Sequence, residues 1–181
     1  AARSSDALHL FVVSEDASLF PYSVRKKLIV EGTKHLKNLV FHDTGSYIIS
    51  NATFPSYFQK DEESVIRGHA LLDLTIFKEI AAGLGINHRY VGHEPNSRVT
   101  NIYNEIMKNM LLDSRIRCTE VQRLQIDGIT VSASMIRKAI QDGDEALIRA
   151  LVPKTTADYV FSDEACGVIE NIRKTKDVIH H

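Results

Sequence analysis

The stretch "ALHLFVVSEDASLFPYSVRKKLIVEGTKHLKNLVFHD", residues 7–43, decides the fold. Residues 7–13 are an apolar, β-branched run that ends in the polar "SED", as a central parallel strand followed by a loop requires. Pro21 stands near a helix start, and Val24, Leu28, Ile29 and Leu36 follow at helical spacing. After a break at Asn38, "NLVFHD" reads as a second short strand over 38–43. Strand, loop, helix and strand in this order make a βαβ unit, whose strands run parallel because the crossover returns the chain to the same end of the sheet.

The same alternation continues outward. "SYIIS", residues 46–50, is a third strand or a structured loop. From 61 to about 84, Ile66, Ala70, Leu74, Phe77 and Ala81 form one apolar row, which Val65, Leu72, Ile76 and Ile80 widen. Asp61, Glu62 and Glu63 suit the start of that helix, and Gly83 and Gly85 suit its end. "INHRYVG" predicts a strand, "VTNIYNEIMKNML" a helix and "IRCTEVQRL" a further strand. Short helices follow in "SMIRKAIQDG" and "DEALIRALV", the latter stopped by Pro153, with a helical tail over about 156–174. The expected fold class is α/β: one domain built on a doubly wound, Rossmann-like parallel sheet, with ligands at the carboxyl ends of its strands.

Composition narrows the function. A 181-residue chain with 44% hydrophobic and 25% charged residues can bury one sizeable core. Its net charge of -1 gives no strongly basic surface for nucleic acid, so any anion site has to be local. No apolar run approaches the roughly 20 residues that span a bilayer. The two cysteines form no CxxC and no signal peptide opens the chain, which fits a reducing, cytoplasmic setting. The histidines show no HExxH or Cys/His ligand spacing, so no metal site is expected; His69 falls on a helix flank. The closing His pair reads as a tag remnant or a solvated tail.

Three stretches carry candidate chemistry. In "ITVSASMIRKAI", residues 129–140, a β-branched run hands over to a helix near Ser134. The first turn of such a helix presents unpaired N–H groups and the positive end of its dipole. Ser132 and Ser134 could cap it or donate to a phosphate, and Arg137 could turn its planar fork to the same point. A capped helix with a solvent-facing arginine fits the spacing equally. Arg25 lies on the polar side of the first helix and by itself reads as an ordinary surface arginine. "RYVGHEPNS" ends a strand with Gly92 where backbone can approach a ligand and Glu94 where a carboxylate can accept from ribose hydroxyls or bind a metal; it could also be a simple turn.

Taken in order, Arg25 after "FPYSV", then "VGHEP", then "VSASMIR" resemble the nucleotidyltransferase superfamily, whose I-S-S-T-x-I-R type motif holds the triphosphate. "FVVSEDASLFPYSVRKKLIVEGT", "SYIISNATFPSYFQKDEESVIRGHALLDLTIF", "HRYVGHEP" and "LVPKTT" look more closely like the C-terminal domain of the citrate lyase ligase family, over about residues 7–160. That resemblance implies an ATP-dependent ligase in which acetate forms acetyl-AMP and the prosthetic-group thiol of the citrate lyase acyl-carrier subunit takes the acetyl group. It assigns Arg137 and Ser134 to catalysis. Nucleotide binding falls to Arg25, Gly92, Glu94, Ser132, Ser134 and Arg137, with Mg2+ carried by the ATP phosphates. Two departures stand out. The family's His-containing motif, between its first strand and first helix, has no counterpart here, so that strand, loop and helix, and an acetyltransferase-like domain, are expected to precede Ala1. Ala17 occupies a loop position where relatives often place a lysine. Tyr57 and Phe58 are core aromatics or line the thiol entrance. The alternatives are a small-molecule adenylyltransferase of coenzyme A or NAD biosynthesis and a non-catalytic nucleotide-binding module.

Overall fold

The computed structural model describes residues 1–16, 18–94 and 97–175. Ala17, Pro95 of "VGHEP" and the terminal His pair lie outside the described residues. The chain traces β1 (Leu8–Val12), α1 (Tyr22–Gly32), β2 (Leu39–Asp43), α2 (Glu63–Gly83), β3 (His88–Gly92), α3 (Arg98–Leu112) and β4 (Arg117–Val121). It continues through β5 (Gln125–Ile126), β6 (Ile129–Thr130), α4 (Ala133–Asp142), α5 (Glu145–Leu151), α6 (Lys154–Val160) and α7 (Cys166–Lys174). The described residues divide into two compact units, one of Ala1–Glu15 with Leu39–Gln122, the other of Asp16–Asn38 with 123–175.

In the first unit β1 pairs with β2 in parallel, Leu8 opposite Leu39 through Val12 opposite Asp43. β3 pairs with β4 in parallel, His88 opposite Arg117 through Gly92 opposite Val121. The mixed α/β alternation and the parallel pairing are as the sequence predicts. The strands nevertheless pair two by two, and among the described residues no backbone ladder joins β1 to β3. The α2 row of Ile66, Ala70, Leu74, Phe77 and Ala81 is buried to the last residue and packs with Phe54, Ile102, Met107 and Leu111. Two residues expected to widen that row do not: Val65 and Leu72 are 41% and 49% exposed. Asp73 takes the buried place beside Leu74 instead, fully enclosed. "SYIIS" is a loop, with Ile49 at φ 48°, a left-handed conformation that a β-branched residue rarely adopts.

The second unit is helical around Ile140, Ile148, Tyr159, Val160, Ile169 and Ile172, with Phe20, Val24 and Leu28 from the first helix region packed on them. The tail expected as one helix is broken into α6, a 3-10 turn and α7. The β-branched run before "SASMIR" forms an antiparallel hairpin, β5 with β6, not a buried strand. Asp127 and Gly128 at its tip take φ values of 50° and 79°, the mirror-image turn that suits the twist of two antiparallel strands.

Candidate functional site

α4 starts where the hairpin ends, and Ser132 is its N-cap: the hydroxyl accepts from the Met135 N–H at 3.2 Å. Ser134 Oγ lies 3.1 Å from Ser132 Oγ, so two hydroxyls stand side by side at the helix start. Gly143, at φ 71°, closes the helix in the left-handed conformation that lets its last carbonyls be satisfied. One turn in, Arg137 is only 8% exposed. It is not the solvent-facing arginine that the capped-helix alternative requires. Burial lowers its pKa from the ordinary guanidinium value, yet the group remains cationic near neutrality. A charge held in the interior beside a helix N-terminus is arranged in advance, the condition under which it acts most strongly on an anion.

Arg25 sits in α1 of the same unit and is also held: its Nε–H donates to the Phe20 carbonyl at 3.1 Å, Nη2 is 3.8 Å from Asp16 Oδ1, and the guanidinium lies 5.7 Å from the centroid of the Tyr22 ring. Val24 beside Arg25 and Ile136 beside Arg137 pack on one apolar cluster of the second unit. Gly92 and Glu94 belong to the first unit. Gly92 closes β3, exposed, and a Cβ added there meets nothing within 4 Å among the described residues, so its neighbours leave the backbone open to approach. His93, next to it, donates its N–H to the Val121 carbonyl at 2.8 Å, and its Nε2 is 4.0 Å from Glu120 Oε1. Tyr57 is 44% exposed, stacks edge-on against Phe58 and leans on the buried Phe54, so it is not a core residue.

Two polar clusters of the first unit escape a reading by spacing. Asp73 is fully buried and accepts three hydrogen bonds: Ile49 N–H at 2.6 Å and Thr53 Oγ1–H at 2.7 Å on Oδ1, and Tyr103 Oη–H at 2.7 Å on Oδ2. Tyr103 in turn accepts from Arg89 Nη2 at 3.1 Å, and Arg89 lies 4.0 Å over the Phe77 ring. Burial above all holds the Tyr103 phenol protonated, with Arg89 opposing and Asp73 adding to the effect. The second cluster joins Ser56 Oγ to Asp61 Oδ2 at 2.7 Å and to His69 Nδ1 at 2.6 Å. Ser56 is fully enclosed, so this chain of bonds ties the "FPSYFQKDEE" loop to α2; a nucleophile would need access. Only the interruption of an apolar helix row by Asp73 could have signalled the first cluster. Among the described residues no group of three or more His, Cys, Asp or Glu gathers to hold a metal ion, and no helix is long and apolar enough to cross a membrane.

The model of the citrate lyase ligase C-terminal domain family matches residues 1–160. A protein of Escherichia coli K12 named citrate (pro-3S)-lyase ligase is 40% identical over 166 residues, 88% of this chain and 47% of that protein. One of the same name from Haemophilus influenzae is 39% identical over 173 residues, 92% of this chain and 51% of that protein. A third, from Klebsiella pneumoniae, is 40% identical over 166 residues, 89% of this chain and 48% of that protein. The chain therefore spans about half the length of the relatives it matches. No solved structure matches it.

Proposed function

The chain belongs to the citrate lyase ligase C-terminal domain family, and from that premise we propose that it is the nucleotide-holding part of an ATP-dependent acid–thiol ligase acting on citrate lyase. Its two parallel strand pairs are then parts of a doubly wound, nucleotidyltransferase-like sheet. In the reaction, a carboxylate oxygen of acetate attacks the α-phosphorus of ATP; the bond to the bridging oxygen breaks and pyrophosphate leaves with the electron pair. The thiol of the citrate lyase acyl-carrier subunit, losing its proton, then attacks the acetyl carbon of acetyl-AMP and expels AMP. The observation that carries this reading is the start of α4: a capped helix with paired Ser132 and Ser134 hydroxyls and a buried Arg137 one turn in.

The chemistry of those residues suits the leaving group. Negative charge grows on pyrophosphate as the bond breaks, and the first N–H groups of α4 with the Ser134 hydroxyl and Arg137 would stabilise it without reorganising. Arg25, braced by Phe20 and Asp16, would hold a second phosphate oxygen. The cation would be Mg2+ riding on the phosphates, since such ions are usually bound through substrate phosphates and water in place of a dedicated protein cage.

Arg137→Ala in the intact gene product is expected to lower acetate-dependent exchange of pyrophosphate into ATP by about 100-fold or more, the usual scale for losing one preorganised donor. Circular dichroism checks that the fold survives. Exchange retained at the wild-type rate removes Arg137 from the site. Exchange that needs phosphopantetheine or nicotinamide mononucleotide in place of acetate assigns the chain to a small-molecule adenylyltransferase. No exchange with any acid makes it a binding module.

A further inference from the structure

We propose that His69 is a catalytic base of the thiol step: its Nε2 takes the proton of the carrier thiol as the sulfur attacks acetyl-AMP, and Ser56 and Asp61 position its ring. The inference rests on the acid–thiol ligase reading and assigns a residue which that reading leaves without a role. Ser56 Oγ–H donates to Asp61 Oδ2 at 2.7 Å, and the same Oγ lies 2.6 Å from His69 Nδ1. A hydroxyl has one proton to give, and a carboxylate oxygen only accepts. The Ser56 proton is spent on Asp61, so His69 donates its Nδ1–H to Ser56. The neutral ring then carries its lone pair on Nε2.

That lone pair is open to a substrate. Ser56 is fully enclosed, whereas Asp61 and His69 are half-buried. Among the described residues His69 Nε2 makes no hydrogen bond, and the buried side-chain polar atoms left without a partner are Arg89 Nη1 and Thr155 Oγ1. An unbonded Nε2 outside that pair reaches solvent. The enclosed Ser56 hydroxyl is ill placed as a nucleophile and well placed as a link. When Nε2 gains a proton, the charge on the ring is met through Nδ1–H and Oγ–H by the Asp61 carboxylate, which Gln59 Nε2 also holds at 3.3 Å. A base oriented and charge-supported by a third group in this way has the arrangement that activates nucleophiles.

The fold of the first unit puts the cluster at the end where ligands of parallel sheets bind. The loop that carries Ser56 and Asp61 leaves the carboxyl end of β2, and α2 then runs back to the short turn that feeds the amino end of β3. From His69 to Gly83 the helix rises about 21 Å. The five residues of β3 advance roughly 16 Å, so His69 stands level with the carboxyl end of that strand or just beyond it. Beside Ser56, Tyr57 and Phe58 pack edge-on with ring centres 5.3 Å apart, and Tyr57 is 44% exposed, an apolar landing for the arm that bears the thiol. In the step itself the S–C bond forms, the bond from the acetyl carbon to the phosphate oxygen breaks, AMP leaves with the electron pair, and the thiol proton goes to Nε2.

The test separates the two half-reactions in the intact gene product. Acetate-dependent pyrophosphate exchange reads the first; acetyl transfer from supplied acetyl-AMP to the free-thiol form of the acyl-carrier subunit reads the second. His69→Ala is expected to lower transfer by about 100-fold more than it lowers exchange, the scale of a lost general base. Added imidazole is expected to restore much of the transfer, and the deficit to shrink above about pH 9, where a thiol of ordinary pKa ionises unaided. Ser56→Ala, which keeps the ring and breaks its link to Asp61, is expected to lose about tenfold in transfer with the same alkaline recovery. Equal losses in both half-reactions overturn the proposal. A transfer deficit that neither imidazole nor alkaline pH relieves makes His69 structural and overturns it too. Absence of both half-reactions in the wild-type protein removes the acid–thiol ligase reading itself, and this proposal with it.

Discussion

Asp73 is the residue on which most of the first unit's polar interior turns. Its two oxygens take three donors in a fully enclosed place, and one of them is the N–H of Ile49, whose backbone sits at φ 48°. The carboxylate thus holds a conformation that the side chain of Ile49 disfavours. Asp73→Ala leaves two buried donors and one half-buried donor without this acceptor and is expected to cost about 3 kcal/mol or more, read from urea unfolding of the chain. A loss below about 0.5 kcal/mol, the range of a surface change, would show that water replaces the carboxylate. The sequence marks this position only as a polar letter in an apolar row. That the partners are Ile49, Thr53 and Tyr103 depends on a loop and a second helix arriving together, which no local pattern encodes. Arg137 is the opposite case. Its spacing fits a solvent-facing arginine equally and only the family resemblance singles it out; the fold adds that the side chain is buried beside a capped helix start.

Among the elements, α2 separates pattern from packing most clearly. The five-residue apolar row at helical spacing fixes one face, and all five residues are buried. The width of that face is set by what packs on it. α3 and the 3-10 turn at Pro55–Tyr57 meet α2 on the side of Leu74 and Phe77, while Leu72 stays 49% exposed. Leu74→Ala is therefore expected to cost about 2–5 kcal/mol, whereas Leu72→Gln stays within about 0.5 kcal/mol. Urea midpoints of the two variants check the pair; equal losses would place Leu72 in the core. The hairpin before α4 shows the same division. "QIDGIT" carries the Asp-Gly turn signal in plain view, but a β-branched run alone does not tell a buried strand from an exposed ribbon.

At the scale of the whole chain, the response to acid joins separate elements. His9 Nδ1 and His42 Nε2 lie 2.8 Å apart across β1 and β2, an arrangement that needs at least one neutral ring. Burial, then the neighbouring His9, lowers the His42 pKa from its ordinary 6.5; burial, then Arg117, lowers that of His88 in β3. Below pH 6.5 the unfolded chain binds protons at these rings that the folded chain refuses. Stability is expected to fall as pH drops through that window and to level off below the folded values, with nothing lost above it. His42→Phe, which keeps a ring against Phe11, removes part of the slope; urea midpoints at about pH 7.5 and 5.5 measure it, and an unchanged slope would exclude His42. The sequence by itself determined the α/β alternation, the parallel sense of the strands and the α4 motif, because period, crossover length and capping are local properties. Only the tertiary structure decided that the strands pair two by two, that the candidate residues fall in two compact units, and that Asp73, Tyr103 and Arg89 form one hydrogen-bonded chain. Those facts depend on contacts between residues far apart in the chain, whose energies no short stretch contains.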